Sequence, residues 1–128
     1  MGEGRFKLDD FELYKLARQY RKAVYRLVYQ LPPVEKYALA NQMRRAALSV
    51  SNNIAEGHGR WHYQENIRFC RISRGSVDEL IDDLNTCQDE GYGEAAVVED
   101  LKAQAYELIR RINGYIAYLR KTEQGGDE

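Results

Sequence analysis

Apolar residues recur at steps of three and four positions along four separate segments of the chain. This spacing places the apolar side chains on one face of an α-helix, which is then buried against neighbouring helices. The pattern predicts helices over approximately residues 9–31, 34–57, 62–90 and 94–121, with residues 122–128 as a frayed acidic tail. Because no strand-like alternation extends beyond a few residues, we expect an all-α protein.

The second and fourth predicted helices carry the most regular apolar stripes. Their members are Leu39, Met43, Ala46, Ala47, Val50 and Ile54 in the second helix and Leu101, Ala105, Leu108, Ile112, Ile116 and Leu119 in the fourth. The stripe of the third helix contains Ser73 and Ser76, with Gly75 beside it. Small residues at these positions predict that a neighbouring helix approaches closely there.

Proline and glycine residues separate the four helices. Pro32-Pro33 ends the first helix, because the residue before a proline disfavours helical geometry. Gly57-His58-Gly59 and Gly91-Tyr92-Gly93 end the second and third. Connections this short favour antiparallel neighbours, so the sequence predicts one domain over residues 1–128, an antiparallel up-down-up-down four-helix bundle.

The composition argues against several classes of protein. No apolar run reaches the length of a membrane-spanning helix and no signal segment opens the chain, so we expect a cytoplasmic protein without membrane contact. Cys70 and Cys87 lie about 25 Å apart on one predicted helix, too far for a disulfide bond. No motif has the spacing of a metal site, so we expect no metal and no cofactor.

The net charge of −1 results from the cancellation of two unlike halves. Residues 1–74 carry 14 Lys and Arg against 7 Asp and Glu, whereas residues 75–128 carry 5 against 13. Antiparallel packing would gather residues 5–18, 45–74 and 109–123 at one pole with a net charge of +7. A pole of this charge attracts phosphate polymers, with Arg110 and Lys121 of the fourth helix among the expected phosphate contacts.

A series of motifs follows in order from the end of the first helix. It comprises Leu31-Pro32, Glu35-Lys36-Tyr37-Ala38-Leu39, Gln42-Met43-Arg44-Arg45-Ala46-Ala47, Ser49-Val50 and Asn53-Ile54-Ala55-Glu56-Gly57. It continues with Gly59-Arg60, Arg68-Phe69, Gly75-Ser76, Glu79-Leu80 and Gly91-Tyr92. Through these motifs the chain closely resembles, over residues 11–119, the family of 23S rRNA intervening-sequence proteins.

The resemblance implies a small helical bundle, and it says less about function. Some members are encoded inside intervening sequences of ribosomal RNA genes, and most have no established activity. The accessory protein of diversity-generating retroelements resembles the family. It forms a five-fold ring with a basic surface and works with nucleic acid and a reverse transcriptase. The resemblance therefore implies a homo-oligomer, with a pentamer as the model, and RNA or a nucleic-acid-processing protein as partner. His62 departs from the family, which usually has a helix-capping serine there.

A polar stripe lies opposite the apolar stripe of the second helix. It contains Arg45, Ser49, Asn52 and Glu56, with Asn53 at the edge of the apolar stripe. We interpret Arg45, Ser49, Asn53 and Glu56 as a structural hydrogen-bond network that ties this helix to its neighbours. An interaction surface and a substrate site are the alternatives, although no nucleophile stands at a matched spacing from a base.

Two basic segments follow the second helix. In the loop, Arg60 can contact phosphate while Trp61 stacks on an unpaired base; alternatively, Trp61 packs over the end of the bundle. The first half of the third helix carries Arg68, Arg71 and Arg74, and its second half is acidic. The helix dipole favours the opposite distribution, so this pattern indicates either a solvated charged face or contact with RNA or another subunit.

The first helix has a second stripe, about 120° from its apolar face. The stripe consists of Tyr14, Arg18, Arg21, Tyr25 and Tyr29. Tyrosine and arginine are common in protein interfaces, because each combines apolar area with a polar group. We interpret the stripe as an oligomer interface, with tyrosines that merely flank the core as the alternative.

Three hypotheses for function follow. The first is a non-enzymatic, RNA-associated oligomer that uses Arg60, Trp61, Arg68, Arg71, Arg74, Arg110 and Lys121. The second is a protein–protein scaffold or adaptor without a nucleic-acid role. The third is an enzyme or small-ligand protein that uses Arg45, Asn53 and Glu56, which a fully buried stripe without a pocket would exclude.

Overall fold

The computed structural model describes residues 7–126, with side chains as far as Thr122. Four helices make up this part of the chain: α1 Glu12–Val28, α2 Leu39–His58, α3 Tyr63–Glu90 and α4 Ala95–Gly126. The described residues contain no strand, so the predicted all-α class with four helices is confirmed. None of the helices between residues 7 and 126 has both the length and the apolar character that crossing a bilayer requires.

The helix ends differ from the predicted ones in four places. The first helix ends at Val28 rather than at the predicted residue 31. Short 3-10 turns at Leu8–Asp10 and Pro33–Glu35 replace the predicted first turns of α1 and α2. The cause is extended or irregular backbone at Phe11 and Ala38, immediately before each helix. At the other end of the chain, α4 continues through Gly126, so the predicted frayed tail is wrong from 122 to 126. Residues 127 and 128 lie outside the described residues.

The core consists of the predicted apolar stripes. Every stripe residue named above for α2 and α4 is buried, and so are Ser73 and Ser76 of α3. Tyr20 of α1 is 2% exposed and donates its hydroxyl to the Leu101 carbonyl of α4 at 3.1 Å. A buried phenol requires such a partner, and this bond fixes α1 against α4.

The contacts between α2 and α3 run in opposite order along the two helices. Near the start of α2, Gln42 contacts Asp83, and in its second half the Val50 carbonyl accepts a 2.8 Å hydrogen bond from Ser73. The two serine hydroxyls of Ser49 and Ser76 lie 2.8 Å apart. The predicted close approach at Ser73 and Ser76 is therefore present.

Glycine contributes to this close approach at a different position from the predicted one. Gly75 is exposed, and a Cβ added there would meet no atom within 4 Å, so the role predicted for it is wrong. Gly57, near the end of α2, is buried instead. A Cβ on Gly57 would lie 2.5 Å from Asn66 Oδ1 and 3.2 Å from Phe69 Cβ, so only glycine fits there without a shift.

Aromatic contacts join parts of all four helices at one end of the fold. Phe11 stacks on His58 of α2, with ring centroids 5.1 Å apart, and packs 5.0 Å from Tyr115 of α4. The Tyr115 hydroxyl accepts a 3.1 Å hydrogen bond from Asn66 of α3. We call this region the Phe11 end; it contains the start of α1, the end of α2, the start of α3 and the later part of α4.

The two remaining connections meet at the opposite end. Glu35 accepts a 3.2 Å hydrogen bond from the Leu39 backbone N–H at the start of α2. The same carboxylate accepts a 2.9 Å hydrogen bond from the Tyr92 hydroxyl in the α3–α4 connection. Gly91 and Gly93 of that connection have φ values of 72° and 73°, the left-handed region that glycine tolerates. One carboxylate thus links the α1–α2 and α3–α4 connections.

Candidate functional site

The arginine row of α3 lies on the outer surface of the Phe11 end. Arg68 and Arg71 are exposed, and neither has an acidic partner within 4 Å among the described side chains. Arg74 is half-buried and donates a 2.6 Å hydrogen bond to Asn113 of α4. Lys121 is exposed near the end of α4. Of the predicted phosphate contacts, Arg68, Arg71 and Lys121 therefore present the most accessible charges.

Arg60 is less available than the sequence suggested. Its guanidinium lies 2.9 Å from the Glu56 carboxylate and 4.0 Å from that of Glu65. Glu56 therefore belongs to a loop ion pair rather than to the predicted polar network. Trp61 next to it is 62% exposed, so most of its indole area faces solvent.

Phe69 is a member of this surface that sequence reasoning missed. Its ring is half-buried, with the Arg60 and Arg68 guanidinium carbons 5.0 and 5.2 Å from its centroid. Cations over an aromatic face are attracted by its quadrupole. Phe69 therefore holds two of the predicted phosphate-binding arginines. The Arg-Phe dipeptide is a sequence signal for one of these contacts but not for the other.

Arg110 differs from the other predicted phosphate contacts, because it is paired within its own helix. It donates hydrogen bonds of 3.0 and 2.6 Å to the Glu107 carboxylate, which also accepts one from Arg111 at 3.1 Å. The hydrogen bonds from Arg110 and then Arg111 lower the pKa of Glu107 to about 2. Glu107 thus stays ionised and offsets part of the positive charge here.

The predicted polar network of α2 is present in part. Asn53 donates hydrogen bonds to the Ser49 carbonyl at 2.8 Å and to the Ser49 hydroxyl at 3.0 Å. Ser49 also accepts a hydrogen bond from the Ser76 hydroxyl of α3, so Ser49 ties α2 to its neighbour, whereas the Asn53 hydrogen bonds stay within α2. Arg45 and Glu56 take no part in this network: Glu56 pairs with Arg60, and Arg45 is exposed at the edge of a cleft.

That cleft lies between α2, α3 and the segment before α2, and has a volume of about 550 Å³. Its lining is mostly polar: Tyr37, Ala38, Asn41, Gln42, Arg45, Ala46, Ser49, Ser76 and Glu79. The volume falls within the range typical of small-molecule sites. The small-ligand hypothesis named Arg45, Asn53 and Glu56, and of these only Arg45 lines the cleft.

Asp83 is a buried carboxylic acid behind this cleft. It is 2% exposed; its Oδ1 accepts a 3.0 Å hydrogen bond from Gln42 Nε2, and its Oδ2 has no partner among the described residues. Burial, and then the negative charges of Glu79 and Asp82, raise the pKa of Asp83 to about 7. Desolvation disfavours a carboxylate, so this side chain titrates near neutrality.

The Tyr/Arg stripe of α1 divides into an inner and an outer part. Arg21 donates a 3.1 Å hydrogen bond to Ser51 of α2, and Tyr14 and Tyr25 pack partly against the core. Arg18 is exposed, with its guanidinium 5.7 Å from the Tyr14 ring centroid, and Tyr29 is 78% exposed. Arg18 and Tyr29 are therefore the members that remain fully available to a partner.

Both cysteines are buried and unreactive in this environment. Burial raises the pKa of Cys70 and of Cys87 to about 11, so each stays a neutral thiol at pH 7. Among the described side chains, no group of three His, Cys, Asp or Glu residues is arranged to hold a metal ion.

By its four helices, the described part of this chain is a small helical-bundle protein, and it carries a basic end and a polar cleft. The sequence model of one protein family, described as 23S rRNA-intervening sequence protein, matches residues 9–114. The chain therefore belongs to the 23S rRNA-intervening sequence protein family. A search of curated proteins gave no match.

The raised pKa of Asp83 predicts a pH-dependent stability. The folded state holds the proton of Asp83 more tightly than the unfolded chain does, because the ordinary pKa of this carboxyl group is 3.8. The stabilisation is complete below pH 4 and is lost as the pH rises towards 7. Asp83→Asn does not titrate, so between pH 5 and pH 8 it should lose less free energy of urea unfolding than the wild type does, by at most about 3 kcal/mol.

Asp78→Asn is the matched control for this experiment, because Asp78 is exposed on the same helix and is not one of the charges that raise the pKa of Asp83. It should keep nearly all of the wild-type pH dependence. The assignment to Asp83 is wrong when Asp83→Asn and the wild type lose the same free energy of unfolding between the two pH values.

Proposed function

We propose that this protein is a non-enzymatic, homo-oligomeric helical bundle that associates with RNA through the basic residues of its Phe11 end. Two findings support the proposal. The family is described by its link to 23S rRNA intervening sequences. The side chains of residues 7–18, 46–74 and 109–122 include eleven basic and five acidic ones.

The observation that carries the proposal is the exposed pair Arg68 and Arg71. Neither charge is neutralised by a carboxylate of the described residues, unlike Arg60 and Arg110. Arginine forks match phosphate geometry, and a release of counterions would favour their contact with RNA. Trp61, 62% exposed in the neighbouring loop, offers a stacking surface for an unpaired base.

The bundle that we propose is antiparallel, up-down-up-down, and forms a single domain. The opposite order of the α2–α3 contacts supports this topology, as do the contacts that gather parts of all four helices at the Phe11 end. This arrangement adds the basic residues of α4 to those of α3. A cytoplasmic location fits an RNA partner and stays part of the proposal.

RNA binding can be tested by removing three exposed charges together. Arg68→Gln, Arg71→Gln and Lys121→Gln should weaken binding of a labelled hairpin RNA in filter assays at about 50 mM salt. The slope of log affinity against log salt should fall by about 2 to 3, since each lost phosphate contact contributes nearly one counterion.

A control with the same loss of charge replaces exposed basic residues outside the Phe11 end. Lys22→Gln, Arg26→Gln and Lys36→Gln should leave both affinity and slope close to the wild-type values. The proposal fails when the wild type retains no RNA at about 50 mM salt, or when both triple variants weaken binding equally.

Self-assembly through α1 is a second candidate function, a scaffold without a nucleic-acid role. Tyr29, 78% exposed, favours it, because tyrosine and arginine on one exposed stripe are the residue types enriched in protein interfaces. Arg18 lies on the same stripe and is also exposed. A ring of subunits would multiply the positive charge of the Phe11 end, which makes assembly compatible with RNA binding.

Arg18→Ala with Tyr29→Ala tests the assembly without opening the core, since both side chains are exposed. Light scattering should report a lower mass than for the wild type. Tyr106→Ala on α4, 58% exposed, should not change the mass. A wild-type protein that is already monomeric, or an unchanged mass for the double variant, rejects this interface.

A further inference from the structure

The cleft between α2 and α3 contains two opposite charges that are not paired with each other. Arg45 and Glu79 both line it, yet neither makes an ion pair or hydrogen bond with the residues that the structure describes. Two unpaired charges of opposite sign in one cleft favour a ligand that carries an anion at one side and N–H donors at the other. This property is separate from the basic surface of the Phe11 end.

The side of the cleft near Glu79 is rich in hydrogen-bond acceptors. The Gln42 Nε2 donates a 3.0 Å hydrogen bond to the buried Asp83. The Gln42 Oε1 takes no part in this bond and can accept a hydrogen bond from a ligand. The Glu79 carboxylate adds two more oxygens. An acceptor set of this kind matches a ligand edge with two or more adjacent N–H groups.

The rim of the cleft carries an aromatic ring. Tyr37 is 83% exposed, and the Lys36 ammonium lies 5.3 Å from its ring centroid. An exposed ring beside a polar cleft provides a stacking platform for a flat heterocycle. The floor is formed by the hydroxyl pair of Ser49 and Ser76, already joined to each other at 2.8 Å.

We propose that this cleft binds a guanine nucleotide. Arg45 would hold the phosphate, Tyr37 would stack on the base, and Glu79 would accept from the guanine N1–H and 2-amino groups together. Adenine, cytosine and uracil each present fewer adjacent donors on this edge, so the carboxylate selects guanine. The ligand is either a free nucleotide or a nucleotide unit of an RNA strand; the chemistry of recognition is the same.

The test is a nuclear magnetic resonance titration of ¹⁵N-labelled protein with guanosine 5′-monophosphate. Backbone amides of Asn41, Gln42, Ser49 and Ser76 should shift and saturate, about tenfold more tightly than with adenosine 5′-monophosphate. Guanosine without phosphate should bind more weakly than the nucleotide. A short guanine-containing oligoribonucleotide that shifts the same amides more tightly than the mononucleotide identifies RNA as the source; weaker shifts identify the free nucleotide.

Two variants separate the roles of the charged groups. Glu79→Gln should remove the preference for guanine over adenine, and Arg45→Gln should remove the advantage of nucleotide over nucleoside. Glu90→Gln and Arg26→Gln, exposed and outside the cleft, serve as charge-matched controls that keep wild-type binding.

The proposal is overturned when neither probe produces saturable shifts at these amides, or when both cleft variants bind as the wild type does. It does not rest on the RNA surface at the Phe11 end. The Arg68, Arg71 and Lys121 triple variant should keep its mononucleotide binding, so a failure of either proposal is visible without the other.

Discussion

The close approach of α2 and α3 is the constraint on which the rest of the structure depends. Buried serine hydroxyls replace bulky side chains at this contact, and each finds a partner on the facing helix within 2.8 Å. Unpaired hydroxyls here would cost free energy, so the hydrogen bonds also fix the register of the two helices. Gly57 extends the contact to the Phe11 end, where its missing side chain makes room for Asn66.

This register determines where both candidate sites lie. It places the polar residues of α2 opposite those of α3, and so opens a cleft with Arg45 and Glu79 in its lining. It also brings the end of α2 to the start of α3, which sets Arg60 and Arg68 over the Phe69 ring. One helix pair therefore carries both the arginines over the Phe69 ring and the cleft with Arg45 and Glu79. The two sites remain chemically independent of each other.

The sequence predicted the fold better than the sites. Apolar periodicity identifies α2 and α4, because side-chain spacing on one helix follows from helical geometry alone. The 3-10 turn at Pro33 was not predicted, since a proline at this point indicates the first position of a helix. The pairing of Arg110 with Glu107 was predictable from their spacing of three residues on one helix. The cleft was not, because Arg45 and Glu79 meet only through the register of two helices.

Urea unfolding of three glycine-to-alanine variants tests the close approach of α2 and α3 most directly. Alanine in a helix normally stabilises by about 0.5–1 kcal/mol, and Gly75→Ala and Gly114→Ala, with nothing within 4 Å of the added Cβ, should show this gain. Gly57→Ala should instead lose about 1–3 kcal/mol, because the new methyl group overpacks the contact with Asn66 and Phe69. A gain in stability for Gly57→Ala equal to that of the other two would contradict the close approach of α2 and α3.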